Sequence, residues 1–267
     1  MAADSRHASF AALHRAAKPL LLPNAWDAAS ARLWQELGAA AVATSSAAVA
    51  WSRGYADGGD LPRHELLSSL EGMIRVLDVP LTVDLEAGYS DRPEDVGQLA
   101  RAVVSAGAVG INLEDGLLPP GLLVAKIRAI REALRDTPLF INARTDVYLR
   151  GLATGAAAAS TASERLNLYR EAGADGAFVP ALTSLPEVEA IAAAVAMPLS
   201  LMTVPALPPV DALYKAGVRR ISVGPTLFKK AYGTGQSAAR AFLNGDISDL
   251  FQPTLDYAAM NRLFAHD

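Results

Sequence analysis

Leu139-Phe140-Ile141-Asn142-Ala143-Arg144-Thr145-Asp146 runs apolar and then ends in charge. Two earlier stretches do the same: Leu81-Thr82-Val83-Asp84-Leu85-Glu86-Ala87-Gly88 and Val109-Gly110-Ile111-Asn112-Leu113-Glu114-Asp115-Gly116. Nothing in a hydrophobic strand needs Asp84, Glu86, Glu114 or Arg144. A hard cation and a small anion held between neighbouring strand ends need that mixture. The three stretches therefore read as strands whose C-terminal ends share a site, and the chain as an enzyme.

Working outward, short apolar runs recur at 19–22, 39–43, 80–83, 109–113, 138–143, 176–179, 198–202 and 219–223. Segments with helical spacing lie between them, such as 28–37, 66–77, 93–106, 124–134, 163–172 and 185–195. Gly38, Gly107, Gly173 and Gly217 stand where a left-handed residue ends a helix, each shortly before a strand. Eight alternating units with no Gly-x-Gly-x-x-Gly after the first strand predict a (β/α)₈ TIM barrel rather than an open doubly wound sheet. The 267 residues suit one such domain. The catalytic barrel is expected over 1–237. The tail, 238–267, belongs to the same domain but carries Phe242, Leu250, Phe251, Leu255, Tyr257, Met260, Leu263 and Phe264. It either closes the barrel bottom or packs on another subunit; its apolar content favours the subunit contact.

Composition narrows the function classes. A net charge of −4 without a long Lys/Arg cluster argues against nucleic acid as a partner. The absence of Cys excludes disulfides, thiolate zinc sites and cysteine nucleophiles. No apolar stretch is long enough to span a bilayer, and the start lacks a signal-peptide core, so a soluble cytoplasmic protein is expected. His7, His14, His64 and His266 show no ligand spacing and are assigned to surface or packing roles. No Gly-x-Ser-x-Gly elbow is present.

Asp84 and Glu86 are two apart, so on a regular strand they face the same side, and Glu114 comes from the next strand. The three carboxylates can reach one octahedral Mg²⁺ or Mn²⁺, directly or through its water shell; the alternative is solvated acids in two loops. Arg144 is placed to fork onto an anion held there, or else to make an internal salt bridge to Asp146 or Glu114. Thr44-Ser45-Ser46-Ala47 and the loop to Asp57 follow the second strand; their small residues let main-chain N–H groups approach a ligand, and Asp57 can reach the metal waters. Val223-Gly224-Pro225, with Thr226, is either a phosphate-binding end or a tight turn. Tyr55, Tyr89 and Tyr148 lie where a proton carrier or a structural tyrosine would sit.

These motifs, together with Leu22-Pro23-Asn24-Ala25-Trp26-Asp27, Gly54-Tyr55-Ala56-Asp57, Asn142-Ala143-Arg144-Thr145-Asp146 and Ser222-Val223-Gly224-Pro225, resemble the isocitrate lyase/phosphoenolpyruvate mutase superfamily in order from about residue 20 to 230. The resemblance implies a barrel whose last helix is swapped between subunits, in a homotetramer built as a dimer of dimers, and it implies Mg²⁺. It makes Asp84 the nearest metal ligand, with Asp57, Glu86 and Glu114 acting largely through metal waters. Ser45, Ser46 and Ala47, with Asp84 and Arg144, would line the substrate site, and Arg144 and Asp57 are the catalytic candidates.

Departures from the superfamily pattern are as informative. Its isocitrate and methylisocitrate lyases carry a Cys-bearing lid, and its phosphonomutases a lid with Lys and Asn; here the corresponding stretch, Gly116 to Leu123, is short and uncharged. Phe-Pro-Glu is replaced by Val179-Pro180-Ala181, and Ser200 stands where a substrate-binding Asn is expected. The reading is a Mg²⁺-dependent enzyme making or breaking a C–C bond, by lyase or decarboxylase chemistry, in a small 2-oxo- or 2-hydroxy-carboxylate through a metal-stabilised enolate. The alternatives are P–C bond chemistry, as in a phosphonomutase or phosphonopyruvate hydrolase, and a barrel that binds a 2-oxo acid without turning it over.

Overall fold

The structure, a computed structural model, describes residues 3–248, 250–251 and 255–265. Its strands are β1 (Leu20–Leu22), β2 (Asn24–Ala25), β3 (Val42–Thr44), β4 (Leu81–Asp84), β5 (Gly110–Glu114), β6 (Phe140–Arg144), β7 (Gly176–Phe178), β8 (Leu199–Met202) and β9 (Val218–Ser222). All pair in parallel, in the order β1-β9-β8-β7-β6-β5-β4-β3-β2. The two ends of that order are consecutive segments divided by Pro23, which has no N–H for the ladder. Its carbonyl still accepts from Ala43 N at 3.0 Å. Nine segments thus make eight barrel positions, and the fold is a TIM-type α/β barrel.

The helices are α1 (Ala3–Leu13), α2 (Ala28–Glu36), α3 (Ser46–Ser52), α4 (Arg63–Arg75), α5 (Pro93–Ala106), α6 (Pro120–Leu134), α7 (Gly155–Ala172), α8 (Leu185–Ala194), α9 (Val210–Lys215), α10 (Thr226–Leu243) and α11 (Tyr257–Phe264). The expected left-handed ends are present, with Gly107 at φ 112° and Gly173 at φ 115° capping α5 and α7. Two helices are not visible in the periodicity. α1 has no apolar stripe, and α3 lies in Ser- and Ala-rich sequence that reads as a polar loop.

Alternation along the strands divides the core in two. Val83, Ile111 and Ile141 pack outward under the helices, in the main apolar cluster. Leu20, Leu22, Ala43 and Phe140 form a second cluster with Phe10 of α1. Phe10 is fully buried and meets Phe140 edge-on at 5.4 Å, while His14 stacks on Phe140 at 4.2 Å. α1 therefore plugs the N-terminal mouth, which is one of the two roles open to the tail on sequence alone. His14 is a packing residue, as expected; His266 lies outside the described residues.

Ahead of the tail, Phe228 of α10 is buried beside Trp26 at 5.3 Å and stacks on Tyr232 at 4.0 Å. Beyond it Phe242, Leu243, Phe251, Leu255 and Tyr257 are exposed. Among the described residues no helix is long and apolar enough to cross a membrane.

The floor tolerates no added volume. A Cβ on Gly110 would lie 2.8 Å from Phe10 Cε1 and 2.9 Å from Thr82 Oγ1. Gly110→Ala is expected to cost about 1–3 kcal/mol by overpacking. Urea denaturation checks this, and an unchanged midpoint would show slack in the plug.

Candidate active site

The C-terminal ends of β3 to β6 form the site. β5 and β6 are in register with Glu114 opposite Arg144, and β4 and β5 with Asp84 opposite Asn112. Asp84 is the last residue of β4, and its N–H donates to Thr44 Oγ1 at 2.9 Å. Ser46 donates to Asp84 Oδ2 through its hydroxyl at 3.1 Å and its N–H at 3.4 Å. Asp84 Oδ1 is buried and has no hydrogen-bond partner among the described residues.

Glu86 reaches the cluster by a different route from the one alternation implies. β4 ends at Asp84, Leu85 is buried, and Glu86 and Tyr89 lie in left-handed backbone at φ 50° and 57°. Such conformations in non-glycine residues are strained and persist where surrounding structure enforces them. Here the buried Lys126 donates to Ala87 O at 2.8 Å, and Arg63 donates to Tyr89 O at 3.1 Å. The turn that results brings Tyr89 OH to donate to Glu86 Oε1 at 3.0 Å.

Arg144 is held on two sides. Its Nε and Nη2 fork onto Asp146 at 2.6 and 3.0 Å, while Nη1 lies 2.5 Å from Glu114 Oε2 in an ion pair that lacks hydrogen-bond alignment. The two salt bridges that the sequence allows are therefore both present, and the guanidinium still sits at the mouth, 5.8 Å from the Phe178 ring centroid.

Asp115 fixes this arrangement from below, a role the sequence does not show. Fully buried, it accepts from Asp146 N at 2.9 Å, Thr145 Oγ1 at 2.8 Å, Arg165 at 2.9 Å and Tyr169 OH at 2.6 Å. Asn24 escapes sequence reasoning as well. It accepts from Val223 N at 3.0 Å and Gly224 N at 2.9 Å and donates to Thr44 O at 2.7 Å. Those two N–H groups are thereby occupied, which makes Val223-Gly224-Pro225 a tight turn rather than a phosphate cradle.

The carboxylates outnumber the cation that faces them. Glu86 is pushed up to about 7 by burial and then by Asp57 and Asp84, against the Tyr89 hydrogen bond. Glu114 rises to about 8: burial dominates, Arg144 opposes it, and Asp84, Asp146 and Glu86 reinforce it. Arg144 is shared with Asp146, so it offsets only part of this charge. Asp57, on the exposed loop at the rim, is raised by desolvation and by Asp84, with Ser46, Arg144 and the Gly58 N–H pulling the other way.

The expected set Asp57, Asp84, Glu86, Glu114, Ser46 and Arg144 is thus brought to one mouth. Ser45 is used differently: its hydroxyl caps α3 by accepting from Ala48 N at 3.4 Å, and Ala47 is buried in the first turn of that helix. Among the described residues no three carboxylate or imidazole groups close on one point. One free carboxylate oxygen with further acids at a distance nevertheless fits Mg²⁺, which keeps several waters and takes only one or two carboxylates directly.

A barrel with acids and an arginine at its C-terminal mouth defines an α/β-barrel enzyme. Residues 10–243 match the phosphoenolpyruvate phosphomutase family, and the chain belongs to it, within the isocitrate lyase/phosphoenolpyruvate mutase superfamily. It is 32% identical over 241 residues to a 2-methylisocitrate lyase of Aeropyrum pernix, covering 84% of this chain and 75% of that one. A Burkholderia cenocepacia structure provisionally described as a phosphonomutase is 38% identical with a TM-score of 0.85, covering 90% of this chain and 99% of that one. A phosphonopyruvate hydrolase solved with oxalate and Mg²⁺ shares the fold, with a TM-score of 0.84 at 20% identity over 97% of this chain and 94% of that one.

The raised carboxylates give a pH dependence of known sign. A folded-state value above the ordinary 4.5 means that the folded chain binds more protons than the unfolded chain between there and about 7 and 8. The stability of metal-free protein must then fall as pH rises through that window. Thermal melts in chelator are expected to show this loss, and Glu86→Gln to reduce it. A Tm that rises between about pH 5 and 8 would contradict the assignment.

Proposed function

We propose that this enzyme makes or breaks a C–C bond in a small 2-oxo- or 2-hydroxy-carboxylate, with a divalent cation, Mg²⁺ or Mn²⁺, as cofactor. The observation that carries this reading is the buried Asp84 Oδ1, without a hydrogen-bond partner among the described residues, at the barrel end that also holds Arg144. Asp84 would hold the cation directly, with Asp57, Glu86 and Glu114 meeting it across water. When bound, the cation would polarise a 2-oxo carboxylate and neutralise the charge that collects on it as the bond breaks.

The chain's own residues do the rest. Ser46 steadies Asp84, and with Ser45 and Ala47 it puts the first turn of α3 beside the ligand. Arg144, already oriented by Asp146 and Glu114, presents a fixed guanidinium to the substrate oxygen without reorganising during reaction. Asp57 lies at the rim, within electrostatic reach of Asp84. The loop after β5 runs only from Asp115 to Pro119, and beyond the buried Asp115 it is Gly116-Leu117-Leu118-Pro119, without a titratable group. Cleavage of isocitrate by a lid acid therefore lacks its acid here.

The Burkholderia relative favours a second reading, P–C bond chemistry. The same uncharged loop argues against it. A metal-supplemented NMR screen of 2-oxo and 2-hydroxy dicarboxylates, oxaloacetate and phosphonopyruvate separates the two. Turnover is expected to vanish in chelator and in Asp84→Ala. Arg144→Lys is expected to lose on the order of 10²–10³ in rate, because one ammonium does not reproduce the planar fork. Turnover by Arg144→Lys at the wild-type rate, or equal ligand affinity with and without Mg²⁺, would refute this assignment.

We also propose that the exposed apolar face of the tail joins subunits, as a homotetramer built from dimers. Light scattering is expected to find an oligomer for the full chain and a smaller species after truncation at residue 237. A well-folded full-length monomer would refute it.

A further inference from the structure

Arg220 of β9 is 1% exposed and lies inside the barrel. Its Nη2 donates to Asn112 Oδ1 on β5 at 3.1 Å, and β5 stands four places from β9 in either direction round the strand order. The side chain therefore spans the barrel. The same Asn112 oxygen accepts from Asn142 at 3.0 Å, and Asn142 accepts from Ser200 at 3.3 Å. Among the described residues Nε and Nη1 of Arg220 find no hydrogen bond, although the whole side chain is buried.

A buried guanidinium with one hydrogen bond is costly, and a neutral side chain of similar length would fill the space without that penalty. Asp84 stands opposite Asn112 across β4 and β5, and its charge partly offsets the burial that pushes Arg220 down to about 10. Arg144, by contrast, has its charge shared between Asp146 and Glu114. The mouth thus presents a surplus of carboxylates to any incoming anion, over a cation that none of them contacts.

We propose that Arg220 is a positioning residue whose uncompensated charge, held beneath Asp84, lets the carboxylate-rich mouth accept a dianionic ligand beside the divalent cation. It acts through space and touches neither. This rests on the function proposed above. A fixed positive charge has opposite effects on the two ligands, favouring the anion and opposing the metal, whereas a purely structural strut would support both alike.

The test uses the full-length protein, Mn²⁺ and oxalate. Isothermal titration measures Mn²⁺ alone, then oxalate at saturating Mn²⁺, for wild type, Arg220→Lys and Arg220→Gln. Lys and Gln both keep a donor for Asn112 and differ in charge. Arg220→Gln is expected to weaken oxalate on the order of tenfold while Mn²⁺ binds equally or more tightly. Arg220→Lys is expected to stay close to wild type for both. If Arg220→Gln does not fold, Arg220→Met, which buries no unpaired amide, supplies the neutral variant. Unchanged oxalate affinity in the neutral variant, equal losses in Lys and neutral variants, or parallel losses of Mn²⁺ and oxalate would each overturn the proposal. Failure of wild type to bind Mn²⁺ and oxalate would instead refute the proposed function itself.

Discussion

Charge balance at the barrel mouth is the constraint that organises this molecule. Asp57, Asp84, Glu86, Glu114 and Asp146 gather around Arg144, and two like charges about 4 Å apart cost roughly 4 kcal/mol at the effective dielectric of a protein surface. Several features make this arrangement tolerable. Tyr89 and Ser46 donate to Glu86 and Asp84, and Glu86 and Glu114 keep protons to unusually high pH. Asp146, which could have worsened the surplus, is instead pinned through its backbone to Asp115 and made the anvil for Arg144.

Much of this mouth is legible in the amino-acid sequence, for a simple reason. Parallel strands buried on both faces leave no use for charge, so a carboxylate or arginine ending an apolar run marks the mouth. Asp84, Glu114 and Arg144 are placed that way, and the register Glu114 opposite Arg144 bears the placement out. Glu86 is placed at the right mouth by an incomplete argument. Period-two alternation assumes a continuing strand, whereas the chain turns left-handed at Glu86 and a buried lysine fixes the turn.

The hidden parts are those whose partners are remote in sequence. Asp115 reads as one more acid at a strand end, yet its partners Arg165 and Tyr169 lie a helix away on α7. Asn24 looks like an ordinary polar residue until Val223 and Gly224, some two hundred positions on, are found donating to it. Neither leaves a periodic signal. Ser45 shows a local bond instead: its hydroxyl caps α3 by accepting from Ala48 N, as a serine ahead of a helix commonly does.

The short loop after β5 constrains where protons can come from. Gly116 to Pro119 carry no titratable side chain that could deliver one from above the barrel. Any proton delivered in the proposed reaction must then come from the wall or from water. On the wall, Tyr89 is held above its usual value by burial and by Glu86, so it stays protonated and serves as a donor that orients Glu86. Glu86 itself changes protonation near neutrality, but binding a divalent cation beside it would favour the carboxylate and release that proton. Loading the cation and moving a proton are therefore opposed at one side chain, and an enzyme built this way would depend on the order in which cation and substrate arrive.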